Sequence, residues 1–150
     1  MSKWALILGA STGHGGATAI SLAKEGYGIL GFHFDRGETK KEAEKTISKV
    51  SELNGGMCHY WNVNAASEET MEKYIPDIKE IVEDGHLKLL LHSIAFGTTT
   101  NFFGDKPVTQ RQMDMTVHVM GNSLLYWTQK LFNQKLLSNG SRIIGLTSEG

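Results

Sequence analysis

Three glycines in the stretch GASTGHG, namely Gly9, Gly13 and Gly15, stand between a short apolar run and a run of helical character. Glycine tolerates positive φ and lets another group approach the backbone closely. The first turn of a helix offers unpaired N–H groups and a partial positive charge. A turn of this kind predicts a binding site for a phosphate, most often the pyrophosphate of a dinucleotide, with Ser11 and Thr12 as additional hydroxyl donors.

His14 lies within the same turn, where its backbone N–H points toward the expected phosphate and its ring comes near the cofactor. The alternative interpretation is that the glycines only permit tight packing of a strand against a helix. The turn follows the first strand of a βαβ pattern, which favours the dinucleotide.

Short apolar runs alternate with segments of helical periodicity along the rest of the chain. The apolar runs predict strands over residues 4–9, 27–34, 57–63, 87–95 and 141–148. The periodic segments predict helices over residues 15–24, 39–53 and 111–137. A further helix is predicted to follow Ser67, which is its expected N-cap. Pro76 inside the third helix predicts a kink or a later start. This alternation is typical of an α/β fold with a doubly wound, five-stranded parallel sheet of Rossmann type, in one domain over residues 1–150.

Composition excludes several classes of function. The chain has 150 residues and a formal net charge of −1, which provides no field that would attract nucleic acid or an anionic membrane. Cys58 is the single cysteine, so an intrachain disulfide is impossible and a reducing, cytoplasmic location is expected. The six histidines lack metal-binding spacing, so we expect no metal site.

Four motifs in chain order resemble those of the short-chain dehydrogenase/reductase family. GASTGHG, with its G-x-x-x-G-x-G spacing, stands where that family has its cofactor turn. WNVNAA is similar to the end of the family's third strand. The resemblance implies that Asn62, in the place of the family's usual Asp, contacts the adenine beside Val63.

The other two motifs belong to the fourth and fifth strands. LLLHSIAFG is similar to the end of the family's fourth strand, which implies that Ser93, Ile94 and Ala95 lie beside the cofactor. The alternative for Ser93 and the adjacent His92 is hydrogen bonding to neighbouring strands behind the cofactor. GSRIIGLTSEG is similar to the fifth strand, which implies that Ser148 is the catalytic serine that orients the substrate.

The resemblance implies an NAD(P)-dependent oxidoreductase that transfers a hydride between nicotinamide C4 and a substrate carbon. The family's catalytic Tyr and Lys follow the serine and would lie beyond Gly150. We therefore expect the chain to be the amino-terminal part of a longer reductase, truncated after the fifth strand and inactive alone. The alternative is a catalytically silent dinucleotide-binding module.

The segment HSIAF is also similar to enoyl-acyl-carrier-protein reductases, which reduce a conjugated C=C bond. The expected substrate is therefore a carbonyl compound or an enoyl acyl thioester, with a role in fatty acid metabolism. The resemblance further implies a homo-oligomer for the full-length protein, without a nucleic acid or membrane partner.

The choice between NAD and NADP depends on the end of the second strand. The resemblance places His33 where an NAD-selecting Asp usually stands, followed by Asp35 and Arg36. A displaced acid favours NAD, whereas Arg36 could hold a 2′-phosphate through two hydrogen bonds. The sequence leaves both cofactors open, with a slight preference for NADP and with His33 and Arg36 as candidate contacts.

Tyr126 and Lys130 have the Tyr-x-x-x-Lys spacing of the family's catalytic pair and share one helix face. They precede Ser148, so we expect them to serve structure or an interface rather than catalysis. Met120 stands where the family usually has an Asn that helps a water chain relay protons. Methionine cannot replace that amide as donor and acceptor, so either the proton path differs or Asn122 takes the role in a register displaced by two.

Overall fold

The computed structural model describes residues 2–83 and 85–147 and shows a five-stranded parallel sheet flanked by helices. The strands are β1 Trp4–Leu8, β2 Gly28–His33, β3 Cys58–Asn62, β4 Leu87–His92 and β5 Leu137–Gly145. The helices are α1 Gly13–Lys24, α2 Glu38–Asn54, α3 Glu68–Val82, α4 Gln110–Val117 and α5 Ser123–Asn133, with a π-helical turn His118–Asn122 between the last two. The predicted Rossmann-type α/β fold is confirmed.

The strand order β3-β2-β1-β4-β5 places β1 at the centre of the sheet. Leu8 at the end of β1 lies opposite Phe32 on one side and His92 on the other, and both pairings are parallel. The chain builds outward from β1 to β3 and then crosses back to β4, so the order reverses between β1 and β4. Parallel α/β sheets bind ligands beside such a reversal, at the carboxyl ends of the strands.

One face of the sheet is covered by large aromatic side chains. The Phe32 ring stacks on Trp61 with 4.8 Å between centroids and lies 5.1 Å from the Trp127 ring. Trp127 is fully buried on α5, and its indole N–H donates to the carbonyl of Ala65 at 2.8 Å. The apolar ring and its satisfied polar group together fix α5 against the loop that follows β3.

The opposite face is built mainly from small and aliphatic side chains, which bring α1 close to the sheet. Its buried members are Ala5, Ile7, Ala10, Ala19, Ala23, Ile29, Val50 and Leu91. Gly31 of β2 contributes to this close packing, because a Cβ there would lie 2.4 Å from the Tyr60 ring and 2.9 Å from the Ala10 methyl. The start of α1 therefore sits directly beside the end of β1.

The predicted helix over residues 111–137 is helical from Gln110 to Asn133, but it contains a π-helical turn that was not predicted. The backbone N–H of Ser123 bonds to the carbonyl of His118, five residues earlier. The Val119 carbonyl, whose α-helical donor would be that same N–H, accepts the Ser123 hydroxyl at 2.7 Å instead. The turn thus inserts one extra residue and keeps the carbonyl groups of His118 and Val119 bonded.

The end of α5 also differs from the prediction, since the helix stops at Asn133. Lys135 adopts φ +58°, and its N–H bonds to the carbonyl of Phe132. The N–H of Leu136 bonds to the carbonyl of Leu131. These bonds form a Schellman motif, in which the left-handed residue is usually glycine. Because lysine fills that place, the sequence carries no obvious stop signal.

β5 begins before the predicted strand 141–148 because it contains a bulge. Leu87 of β4 pairs with Leu137. The next pair in the ladder is Leu89 with Arg142, so β5 carries extra residues that β4 does not match. The predicted segment starts where the regular ladder resumes.

α3 begins at Glu68 and runs through Pro76, so the expectation of a later helix start is wrong. Ser67 occupies the N-cap with an extended backbone, as predicted, although its side chain makes no capping bond. No helix within residues 2–83 and 85–147 is long and apolar enough to cross a bilayer.

Replacing Gly31 with alanine should lower the free energy of unfolding by about 1–3 kcal/mol, because the new methyl group would overlap the Tyr60 ring. Urea denaturation followed by tryptophan fluorescence measures the change. Gly121→Ala is the matched control, since nothing lies within 4 Å of a Cβ at that position. A Gly31→Ala variant as stable as the wild type would contradict the packing described for this face.

Candidate functional site

The carboxyl ends of β1 to β4 open onto a cleft of about 880 Å³ at the reversal of strand order. Most of the residues predicted to bind a cofactor line this cleft. They are Gly9, Ser11, Thr12, Gly13, His14, His33, Arg36, Val63, Ser93, Ile94 and Ala95. Gly15 and Asn62 do not line it, and Ser148 lies outside the described residues.

Backbone contacts shape the turn between β1 and α1. Gly9 has φ +89°, and a Cβ there would lie 2.3 Å from the carbonyl oxygen of Ser93. The N–H groups of Gly9 and Ala10 both donate to the carbonyl of Phe32 at 2.9 Å. The turn is therefore tied to β2 on one side and pressed against the segment after β4 on the other.

The amino terminus of α1 faces the cleft and is not capped by the side chain of its N-cap residue. The helix begins at Gly13, and Thr12 at the N-cap makes no side-chain capping bond. The first turn of α1 contains no acidic residue. The positive end of the helix dipole and the first N–H groups are thus suited to a phosphate, as the glycine spacing predicts.

Gly15 supports the turn from behind. A Cβ on this residue would lie 1.8 Å from the carbonyl oxygen of Gly9 and 3.2 Å from the Cβ of Ser93. The structure thus gives Gly15 a packing role, where the sequence predicted a cofactor contact. The lack of a side chain lets the first turn of α1 lie against the end of β1.

The loop after β2 contributes a carboxylate to the cleft wall. Oδ2 of Asp35 lies 2.8 Å from Nδ1 of His33, and the two side chains are only 12% and 7% exposed. Since a carboxylate accepts, Nδ1 of His33 is assigned as the donor. Burial raises the pKa of Asp35, but polar contacts with Ser11, His33 and Thr39 outweigh it and hold the pKa below its ordinary value of 3.8. Asp35 is therefore ionised at neutral pH.

Asn62 fixes the loop that carries Asp35. Its Oδ1 accepts from the backbone N–H of Asp35 at 2.9 Å, and its Nδ2 donates to the carbonyl of Asp35 at 3.0 Å. The structure gives this amide a supporting role outside the cleft wall, whereas the next residue, Val63, does line the cleft. The adenine contact expected of Asn62 stays a prediction.

Asp35 and Phe34 are among the cleft residues that were not candidate contacts from the sequence, although Asp35 was weighed there as a displaced acid. Phe34 is 57% exposed, and the Arg36 guanidinium lies 4.9 Å from the centre of its ring. A large aromatic residue just after a strand end is the signal that could have identified Phe34. The spacing of Asp35 and Arg36 could not show which of the two side chains would be held in place.

The segment after β4 forms the other end of the cleft. The N–H of Ser93 donates to the carbonyl of Leu8 at 2.8 Å, which continues the hydrogen bonding between β1 and β4. Ile94 lines this end, as do Met115 of α4 and Val119 of the π-helical turn. This part of the wall is mainly apolar.

His92 lies behind this wall and is 2% exposed. Its Nε2 lies 2.7 Å from the Ser123 hydroxyl, which itself donates to the carbonyl of Val119. The ring therefore donates through Nε2, and burial lowers the pKa of His92, so the imidazole is neutral at neutral pH. This arrangement matches the alternative of hydrogen bonding behind the cofactor, although the partner is on α5 rather than on a strand.

Tyr126 and Lys130 lie outside the cleft. Lys130 Nζ is 3.7 Å from a carboxylate oxygen of Glu68 and 3.8 Å from one of Glu72, both on α3. The Tyr126 ring lies 6.0 Å from the His118 ring. These contacts support a structural role for the Tyr-x-x-x-Lys spacing.

The residues weighed for a proton relay, Met120 and Asn122, are exposed on the π-helical turn and do not line the cleft. The described residues contain no group of three or more histidine, cysteine, aspartate or glutamate side chains that could hold a metal ion.

The sequence matches a known family over nearly its whole length. A profile of the family described as short chain dehydrogenase covers residues 3–150. The chain therefore belongs to the short-chain dehydrogenase family, whose members are oxidoreductases that bind a nicotinamide dinucleotide.

Solved structures share the fold at low sequence identity. A short-chain dehydrogenase/reductase from Serratia marcescens superposes with a TM-score of 0.75 at 22% identity, over 95% of this chain and 54% of that chain. A trans-2-enoyl-CoA reductase from Clostridium acetobutylicum, solved with NADH, gives a TM-score of 0.81 at 22% identity, over 99% of this chain and 47% of that chain. The chain thus spans about half the length of these proteins.

Replacing Gly15 with alanine should weaken binding of NADH and of ADP by at least about tenfold, because the methyl group would force α1 away from Gly9. Isothermal titration calorimetry measures both affinities. Gly121→Ala is the control, since it adds the same methyl group in open space. Unchanged ADP affinity in a folded Gly15→Ala variant would rule out this turn as the phosphate site.

Asp35 should also contribute to the acid sensitivity of the fold. Its pKa is lowered in the folded chain, so its stabilising contribution is complete above the unfolded pKa near 3.8 and is lost as the pH falls through the folded pKa. The stability difference between the wild type and Asp35→Asn should therefore shrink below about pH 4. Urea denaturation between about pH 3 and 6 tests this, with Glu38→Gln, which removes a 92% exposed carboxylate, as control. A difference that stays constant over this range would contradict it.

Proposed function

We propose that the chain is the cofactor-binding part of an NAD(P)-dependent reductase that transfers a hydride to a carbonyl or enoyl group of an acyl substrate. The observation that carries the proposal is the amino terminus of α1, which meets the cleft through the Gly9–Gly15 turn. Its N–H groups, its helix dipole and the three glycines without side chains fit the pyrophosphate of a dinucleotide.

The two ends of the cleft differ in a way that suits the two halves of such a cofactor. The loop after β2 carries Asp35, Arg36 and exposed Phe34, which supply hydrogen bonds and a stacking surface for the adenosine half. The end near β4 is mainly apolar, with Ile94 and Val119, and suits the nicotinamide ring. In this orientation the pyrophosphate crosses the start of α1.

Hydride transfer to a carbonyl or enoyl carbon also requires a proton and a group that orients the substrate. The bound cofactor would supply the hydride from nicotinamide C4. Ser148 remains our candidate for orienting the substrate. Within the described part of the chain, no tyrosine or lysine lines the cleft. We therefore expect the 150-residue chain to bind cofactor and to lack reductase activity by itself.

An acyl substrate is favoured by the apolar surface near β4. Phe96 and Met115 both line the cleft and are 58% and 40% exposed. Such a surface suits an acyl chain better than a small polar ketone. A neighbour in the fold comparison is described as a trans-2-enoyl-CoA reductase, which agrees with an enoyl thioester and a role in fatty acid metabolism.

A second candidate is a dinucleotide-binding module without catalysis. It is favoured by the same absence of a cleft tyrosine and lysine within the described residues. The two candidates share the binding site and differ in turnover by the protein that contains this chain.

The proposal extends to assembly and location. The exposed apolar residues Leu125 and Phe132 on α5, together with Ile143 on β5, favour a homo-oligomer of the full-length protein. A free Cys58 and a near-neutral net charge favour a cytoplasmic location, without a nucleic acid or membrane partner.

Cofactor titration tests the proposal directly. Trp61 packs on Phe32, which lines the cleft, so bound NADH or NADPH should quench tryptophan emission and gain energy-transfer emission of its own. We expect saturable binding of at least one cofactor, competition by ADP, and a shift of both signals to at least about tenfold higher cofactor concentration in Gly15→Ala. The same samples should show no oxidation of cofactor with an enoyl thioester or a ketone. Failure of both cofactors to bind at millimolar concentration would overturn the proposal.

A further inference from the structure

We propose that Asp35, held in place by His33, makes NADH rather than NADPH the preferred cofactor of this cleft. The inference rests on the proposed function, because it assigns the residue that distinguishes two ligands of the same site. Asp35 is then a specificity-determining residue, and His33 is a positioning residue that acts through it.

The side chain of Asp35 is hydrogen-bonded to His33, the last residue of β2. Nδ1 of His33 donates to its carboxylate at 2.8 Å, and the His33 ring packs edge-on against Tyr60 with 6.3 Å between centroids. The acid therefore stands two residues beyond the end of β2, and the last residue of that strand anchors it.

The backbone of Asp35 is held separately from β3. The amide of Asn62 bonds to both the N–H and the carbonyl of Asp35. A residue of β2 thus holds the side chain of Asp35, and a residue of β3 holds its backbone. A charge held in this way cannot easily move aside for a second negative group.

The two cofactors differ at the ribose 2′ position that a dinucleotide fold presents to the end of β2. A 2′-hydroxyl donates a hydrogen bond, which an ionised carboxylate accepts. A 2′-phosphate offers acceptor oxygens and roughly two negative charges, so it meets Asp35 with repulsion and without a donor. The same side chain therefore favours NADH and disfavours NADPH.

The slight preference for NADP predicted from the sequence depends on Arg36. The side chain of Arg36 is not held in the way that the side chain of Asp35 is. Its guanidinium lies over the exposed Phe34 ring, and its backbone N–H and carbonyl both bond to the Thr39 hydroxyl. The side chain is exposed at the rim of the cleft, where solvent screens its charge. Asp35 is more deeply placed and more rigidly held, so its charge should decide the cofactor.

The experiment compares dissociation constants for NADH and NADPH in one buffer, using the same fluorescence signal. The wild type should prefer NADH by at least about tenfold. Asp35→Asn should lose most of this preference, mainly through tighter NADPH binding, because an amide can donate to a phosphate. Glu38→Gln removes the same charge from an exposed position of α2 and should keep the preference.

The role of His33 requires a second pair of variants. His33→Leu removes the donor and should reduce the preference for NADH, whereas His33→Asn presents an N–H near the position of Nδ1 and should restore much of it. A merely structural role for His33 would weaken NADH and NADPH equally. Thermal melts establish that each variant is folded before its ratio is interpreted.

The outcomes separate this inference from the proposed function. A wild-type chain that binds NADPH as tightly as NADH, or a folded Asp35→Asn variant with an unchanged ratio, overturns the inference and leaves dinucleotide binding intact. A wild-type chain that binds neither cofactor overturns both. The wild-type ratio alone remains decisive if Asp35→Asn does not fold.

Discussion

The contact between Gly15 and the carbonyl of Gly9 is the constraint on which the rest of the site depends. A Cβ on Gly15 would collide with the Gly9 carbonyl, so α1 can start against β1 only because Gly15 has no side chain. A Cβ on Gly9 would collide with the Ser93 carbonyl, so the segment after β4 approaches the turn from the other side. The contact of Gly15 with Gly9 brings unpaired helix N–H groups to the edge of the sheet where the strand order reverses. A phosphate site then needs no charged side chain, since the backbone itself provides the donors and the field.

The two faces of the sheet support that turn in different ways. Small residues on the α1 side allow the helix to approach, whereas Phe32, Trp61 and Trp127 form a rigid aromatic layer on the other side. The π-helical turn belongs to the aromatic side, and the His92–Ser123 hydrogen bond links it to the end of β4. Packing on one face therefore positions the glycine turn, and packing on the other positions the apolar end of the cleft.

Much of the fold follows from local patterns, because strand and helix periodicities repeat clearly along this chain. The first four strands were predicted to within a few residues, and most predicted cofactor contacts line one cleft, since turns after parallel strands meet at a common edge. The exceptions have identifiable causes. Lys135 ends α5 in a conformation that usually requires glycine, and the π-helical turn depends on bonds from β4 and from Ser123.

The sequence by itself determined the order of strands and helices, the place of the phosphate turn and the family, because these depend on residue type and spacing along the chain. The tertiary structure decided which side chains face the cleft and which are held behind it. Gly15 supports the turn through its contacts with Gly9 and Ser93. Asn62 supports the loop of Asp35, a residue of the cleft wall that is distant from it in sequence. Such contacts arise only when strands pair, since pairing brings β2 and β3 side by side and places Asn62 opposite His33.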